Sequence, residues 1–166
     1  PWTPVETQGT SLRCWGREYS FDKAILPTQI TAAGKQVLAA PVTVKLADGK
    51  RVCGLTAQSV EPVGTPTPTR ARLRGQASAN LGGKATTFRT DMTFEYDGLL
   101  LVEMTCDKPA ALGAQGLTID IPVKDEHALY LHRYITRWIP NSGSMPQGQG
   151  VVDKTAFVPY AWFGDN

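Results

Sequence analysis

The sequence predicts an all-β fold, an antiparallel β-sandwich, on three observations. Sixteen Gly and twelve Pro recur at short intervals along the 166 residues. The runs between them are rich in Val, Thr, Leu, Phe and Tyr, the residues that fit a pleated surface. The central run, TRARLRGQASAN, alternates strictly: Ala71, Leu73, Gly75, Ala77 and Ala79 are small or apolar, and Arg70, Arg72, Arg74, Gln76 and Ser78 are polar. Period two over that length means a strand with one face buried.

Taken in order, SLRCWGREYSF reads as a strand in which Leu12, Cys14 and Gly16 alternate with Arg13, Trp15 and Arg17 before Tyr19 and Phe21. Trp15 is expected in the core. The stretch TQITAAGKQVLAAPVTVKLADGKRVCG reads as short strands broken at Ala33-Gly34 and by the hairpin signal Asp48-Gly49, with Val42, Val44 and Leu46 sharing one face. After the central strand a Leu81-Gly82-Gly83-Lys84 turn leads to Phe88, Thr90, Met92, Phe94 and Tyr96, which alternate with Arg89, Asp91, Thr93 and Glu95. A two-residue or a four-residue loop keeps the two apolar sets opposite each other.

Strand register also sizes the turn at Tyr96-Asp97-Gly98. A two-residue loop would set Met92 across from Glu103, mixing the faces. A three-residue loop with a left-handed Gly98 and a bulge sets Phe94 opposite Leu100, Met92 opposite Val102 and Thr90 opposite Met104. That turn is the one predicted, with Asp91, Glu95 and Glu103 on the outer face. GLTIDIPVK repeats the strand signature through Leu117, Ile119, Ile121 and Val123, and Pro122 points to an edge or a bulge. KDEHALYLHRY fits one helical turn, and 139–150, IPNSGSMPQGQG, reads as a long loop. In the closing AFVPYAWFGDN, Val158, Tyr160 and Trp162 alternate as a strand would, and Gly164-Asp165-Asn166 opens a turn. A returning strand is expected beyond Asn166. Residues 1–166 are therefore expected to form a single β-sandwich domain, an N-terminal piece of a longer multidomain chain.

A hydrophobic content of 42% and a charged content of 19% suit a globular domain. The formal charge of +2 gives no strong attraction to nucleic acid, and no apolar run approaches the roughly 18 to 20 residues that span a bilayer. Neither nucleic acid nor membrane insertion is expected. Pro1-Trp2-Thr3-Pro4 has neither an initiator Met nor the basic start and apolar stretch of a signal peptide, so the chain reads as trimmed at its start as well. Cys14, Cys53 and Cys106 lack any zinc-binding spacing and read as buried thiols or at most one bridge.

Few residues carry the chemistry of catalysis. Asp125-Glu126 beside His127 could serve acid-base work, but neighbours on an extended chain point to opposite faces, and the pair reads as a solvated turn. His127 and His132 are five apart, a spacing that suits a metal pair neither on a helix nor on a strand. Arg70, Arg72 and Arg74 could meet an anion; cross-strand pairing with Asp91 and Glu95 is the milder explanation. No glycine pattern for nucleotides and no nucleophile elbow around Ser142 or Ser144 is present. No catalytic residue, metal or cofactor is therefore assigned. Among the aromatics, Trp138, Tyr160 and Trp162 are the candidate ligand-binding residues, because exposed rings near a loop can stack on a sugar or a neighbouring domain; core packing is the competing reading for Trp138 and Trp162.

Three stretches in this order, CWGREYSFDKAILPTQITAAGKQVLAAPVTV, then FEYDGLLLVEMT with LTIDIPVKDEHALYLH, then the Gly-rich segment and AFVPYAWFGDN, resemble the N-terminal β-sandwich domain of proteins related to glycoside hydrolase family 123. The likeness runs from about Ser11 to Asn166. It implies a non-catalytic module of a bacterial, extracytoplasmic, polysaccharide-processing protein. The implied partner is a C-terminal catalytic barrel of the same chain acting on N-acetylhexosamine-containing glycans, and this module would not itself be an enzyme. The family's adjacent Asp-Glu pair belongs to the barrel, so Asp125-Glu126 does not inherit its role. The alternative expectation is an autonomous carbohydrate-binding module with an aromatic stacking platform.

Overall fold

The computed structural model describes residues 3–136, 139–152, 154 and 161–165. The described chain is almost entirely β-strand, arranged in several antiparallel sheets, as an all-β sandwich-like fold requires. It divides into two compact units, Pro1–Pro122 and Val123–Asn166.

The first unit opens with five short strands, β1 (Glu6–Gln8), β2 (Ser11–Cys14), β3 (Arg17–Ser20), β4 (Gln29–Ala32) and β5 (Lys35–Gln36), joined as a meander in that order. SLRCWGREYSF is thus a hairpin and not one strand: Cys14 faces Arg17 and Leu12 faces Tyr19 across a two-residue Trp15-Gly16 turn. Trp15, expected in the core, stands at the tip of that turn and is 64% exposed. Next come β6 (Thr43–Ala47) and β7 (Val52–Gly54), joined through Asp48-Gly49 as expected, with Val42, Val44 and Leu46 buried on one face.

The spine of this unit is the four-stranded sheet formed by β8 (Thr56–Pro62), β9 (Arg70–Leu81), β10 (Lys84–Glu95) and β11 (Leu100–Cys106), in the order β11-β10-β9-β8. Leu81 pairs with Lys84, so the glycine turn is the two-residue one. Phe94 faces Leu100, Met92 faces Val102 and Thr90 faces Met104, the register predicted from the bulged turn. Gly98 there has φ of 86°, and its N–H donates to the carbonyl of Glu95. A helical turn, α1 (Pro109–Leu112), leads to β12 (Gly116–Asp120), which pairs with β6 as the edge of the sheet β12-β6-β7. β12 is an edge strand, one of the two readings that Pro122 suggested, but it ends at Asp120, short of the Ile121 and Val123 expected in it, and Leu117 and Ile119 are exposed there.

Alternation along β9 and β10 decides the packing. Their inward faces give two buried clusters. In one, Ala71, Leu73, Met92 and Phe94 meet Leu12, Cys14 and Phe21 from the meander. In the other, Ala79, Leu81 and Phe88 meet Leu46 and Leu112. Two small sheets therefore cover successive halves of one long sheet, which is a sandwich. The outer face carries the cross-strand ion pairs expected of it, Arg70 with Glu95 at 2.8 Å and Arg74 with Asp91 at 2.9 Å.

The second unit begins with one turn of 3-10 helix at Asp125–His127, followed by β13 (Tyr130–Thr136), β14 (Ile139–Ser144) and β15 (Ala161–Gly164) in the sheet order β14-β13-β15. The helical turn expected in KDEHALYLHRY stops at His127, and Tyr130 onward is extended. Residues 139–144, expected to lie in a loop, form β14 instead. Their backbone pairs with β13 from Tyr130↔Ser144 to Thr136↔Ile139, so their polar, proline-containing sequence is tolerated beside a more apolar strand.

Candidate functional site

Of the three aromatic residues expected to bind ligand, the structure describes Trp162; Trp138 and Tyr160 lie outside the described residues. Trp162 sits in β15 directly across from His132 of β13, and His132 in turn faces Ser142 of β14. Because side chains alternate along a strand, these three share one sheet face with Tyr130 and Ser144. Trp162 is 54% exposed and lies on the edge strand β15 of this sheet.

The row is fixed by specific contacts. The Trp162 and His132 rings lie 5.3 Å apart at 44°, a tilted arrangement. On its other side His132 Nδ1 shares a hydrogen bond with Ser142 Oγ. A groove of about 370 Å3 runs over this face, lined by Tyr130, His132, Ser142, Trp162 and Asp165 among others. That volume lies within the range of sites for small ligands.

One end of the groove is anchored by a second histidine. The side chain of His127 is only 10% exposed, and its Nδ1 lies 2.8 Å from Asp165 Oδ2. Its Nε2 faces the Glu126 carboxylate at 3.6 Å. Leu129 N–H donates to the Gly164 carbonyl at 3.0 Å beside this pair, so the histidine ties the 3-10 turn to the end of β15. Asp125 and Glu126 are exposed in that turn, as the solvated-turn reading expected.

Chemically, the face offers one broad π surface, one phenol, and hydrogen-bonding groups at Ser142, His132 and Asp165 that surround it. An aromatic face bordered by donors and acceptors suits a ring with an apolar face and polar edges, as a sugar has. Among the described residues no group of three His, Cys, Asp or Glu is placed to hold a metal ion. Cys14, Cys53 and Cys106 are free thiols, and burial pushes the Cys14 thiol up from its ordinary value.

Sequence reasoning did not name Tyr130, His132 or Ser142 as site residues. Tyr130-Leu131-His132 carries a period-two signal, hidden by assigning the neighbouring DEH segment and this one to the same helical turn. Ser142 has no such signal, since it enters the row only through the backbone register of β14. No protein-family model, curated protein or solved structure matches the chain.

Proposed function

We propose that the chain is a non-catalytic module of a glycan-processing protein whose second unit contacts the glycan directly. The contact surface is the Tyr130, His132, Ser142 and Trp162 face. The observation that carries this reading is Trp162: a half-exposed indole buttressed by His132 and bordered by hydroxyl and carboxylate groups. A protein surface gains nothing in stability by leaving so large an apolar ring in water, whereas a sugar's C–H face would cover it. The resemblance to the β-sandwich domain of family 123 glycoside hydrolase relatives supports the same class of ligand, including N-acetylhexosamine-containing chains. It also supports a C-terminal catalytic barrel and an extracytoplasmic setting as parts of the proposal.

The test is titration of the chain with a panel of neutral and N-acetylated oligosaccharides, followed by Trp fluorescence. Trp162→Ala should weaken binding by roughly tenfold or more, the loss expected when a stacking ring is removed. Thermal unfolding should be little changed, because the ring is half exposed. No binding by the parent chain, or binding indifferent to Trp162, rejects the reading. Turnover of aryl hexosaminides by the chain, lost on changing Asp125 or Glu126, rejects its non-catalytic part.

A further inference from the structure

Trp15 occupies a place that turn chemistry does not favour. The β2–β3 hairpin closes with a two-residue loop in which both residues have positive φ, 45° at Trp15 and 74° at Gly16. Such a turn favours Asn-Gly, and a bulky L-residue in the left-handed region is strained. Packing does not repay the strain, since the indole is 64% exposed. The fold's own energetics would place a small polar residue at this position.

The tip is held by four contacts around Trp15, three to the β10–β11 turn and one to the β4–β5 turn. Cys14 Sγ donates to the Glu95 carbonyl, Arg17 Nη1 to the Asp97 carbonyl at 3.2 Å, and Tyr19 Oη to the Gly98 carbonyl at 3.1 Å. Ala33 N–H donates to the Gly16 carbonyl at 2.8 Å. That neighbouring turn also shows large apolar side chains to solvent, Tyr96 at 48% and Leu99 at 57% exposed. Tyr96 N–H in turn donates to the Thr69 carbonyl, joining the segment before β9 to the same end of the sandwich. There a hollow of about 550 Å3 is lined by Thr65, Thr67, Thr69, Arg70 and Arg72 among others. Arg70 is committed to Glu95, whereas Arg72 and Arg17 make no ion pair among the described residues.

We propose that this end of the first unit binds an acidic oligosaccharide. The indole of Trp15, with the phenol of Tyr96 on the adjoining turn, takes the apolar faces of sugar rings. The threonine hydroxyls of the hollow exchange hydrogen bonds with sugar hydroxyls. Arg72 and Arg17 pair with the carboxylate or sulfate groups of the chain. A lipid surface fits less well, because Asp97 stands between Tyr96 and Leu99 with its carboxylate accepting the Leu99 N–H at 2.9 Å. Inserting those two side chains would drag that charge into the bilayer interface. Every residue invoked belongs to Pro1–Pro122, whereas Trp162 belongs to Val123–Asn166.

The test titrates the full chain by calorimetry with uronic-acid oligosaccharides and with the same oligosaccharides methyl-esterified. The decisive variant is Trp15→Asn, which supplies the residue the turn favours while removing the ring. It should raise Tm and weaken binding of the acid form by roughly tenfold or more. Arg72→Gln should weaken it several-fold and flatten its salt dependence, and the methyl ester should bind more weakly than the acid. Trp162→Ala should leave all of this unchanged, which separates this site from the one proposed above. A lower Tm for Trp15→Asn would make Trp15 structural and overturn the proposal. So would the absence of binding by the acid form, binding indifferent to Trp15, or Trp15-dependent partition onto phosphatidylcholine–phosphatidylserine vesicles in its place.

Discussion

Thr90 is fully buried in β10, and its hydroxyl has no hydrogen-bond partner among the described residues. It lies across from Gly75 of β9, where an added Cβ would come within 2.5 Å of Thr90 Oγ1 and 2.9 Å of Ile25 Cγ2. The space a side chain at position 75 would need is filled by these two residues. Two opposite outcomes follow for urea denaturation. Thr90→Val removes an unsatisfied buried hydroxyl and keeps the branched shape, so it should stabilise the chain by about 1 kcal/mol. Gly75→Ala forces Ile25 and Thr90 apart and should destabilise it by about 1–3 kcal/mol. A stabilising Gly75→Ala would mean that the sheet and the 21–26 segment part easily there. The alternation of β9 puts position 75 on the buried face at sight of the sequence. That it must be glycine was not legible, because Ile25 reaches it from fifty residues upstream, outside any local pattern.

Hairpins were legible in the sequence where a wrong register would have mixed faces, and the β10–β11 bulge is the clearest case: only one loop length sets Met92 against Val102. The β2–β3 hairpin offered the same kind of signal. Core-facing positions are even before the turn, Leu12 and Cys14, and odd after it, the partly buried Tyr19 and the buried Phe21, and a two-residue loop imposes that change of parity. Trp15 at the first turn position obscured it, since a Trp in that place argues for a strand. The site face of β13–β15 was harder to see because β14 takes its strand character from its partner. In the β6–β7 hairpin the turn residue is also an electrostatic lock. The Asp48 carboxylate accepts the backbone N–H of Arg51 at 2.8 Å and of Lys50 at 3.1 Å, and the Arg51 guanidinium closes on it at 2.6 Å. Those hydrogen bonds, with the Arg51 backbone foremost, lower its pKa from the ordinary value to about 2. A carboxylate with a depressed folded value stabilises the fold above its unfolded pKa of about 4 and ceases to do so as pH falls toward about 2. Asp48→Ala should therefore lower Tm relative to the parent at neutral pH. The gap should be constant down to about pH 4, narrow between there and pH 2, and close below that. A gap independent of pH would show that the side chain acts through shape alone.

At the scale of the whole molecule, the distribution of the core decides what can stand alone. Among the described residues, the two clusters under β9 and β10 draw all their members from Pro1–Pro122, and that unit also contains β12 paired with β6 through Gly116↔Ala47 to Asp120↔Thr43. A chain ending at Pro122 keeps every one of those contacts and every strand of the four-stranded sheet. It should unfold cooperatively by calorimetry, with a Tm within a few degrees of the full chain. The shorter chain also separates the two proposed ligand surfaces. Trp162 and the groove over β13–β15 are removed, whereas the Trp15 tip, the Tyr96 turn and the Thr65–Arg72 hollow remain. Neutral oligosaccharide binding that depends on Trp162 should disappear, and binding of acidic oligosaccharide through Trp15 should persist at full strength. A cooperative transition with neither activity would leave the fold argument standing and reject the Trp15 surface. A chain without a cooperative transition would mean that residues after Pro122 complete the core.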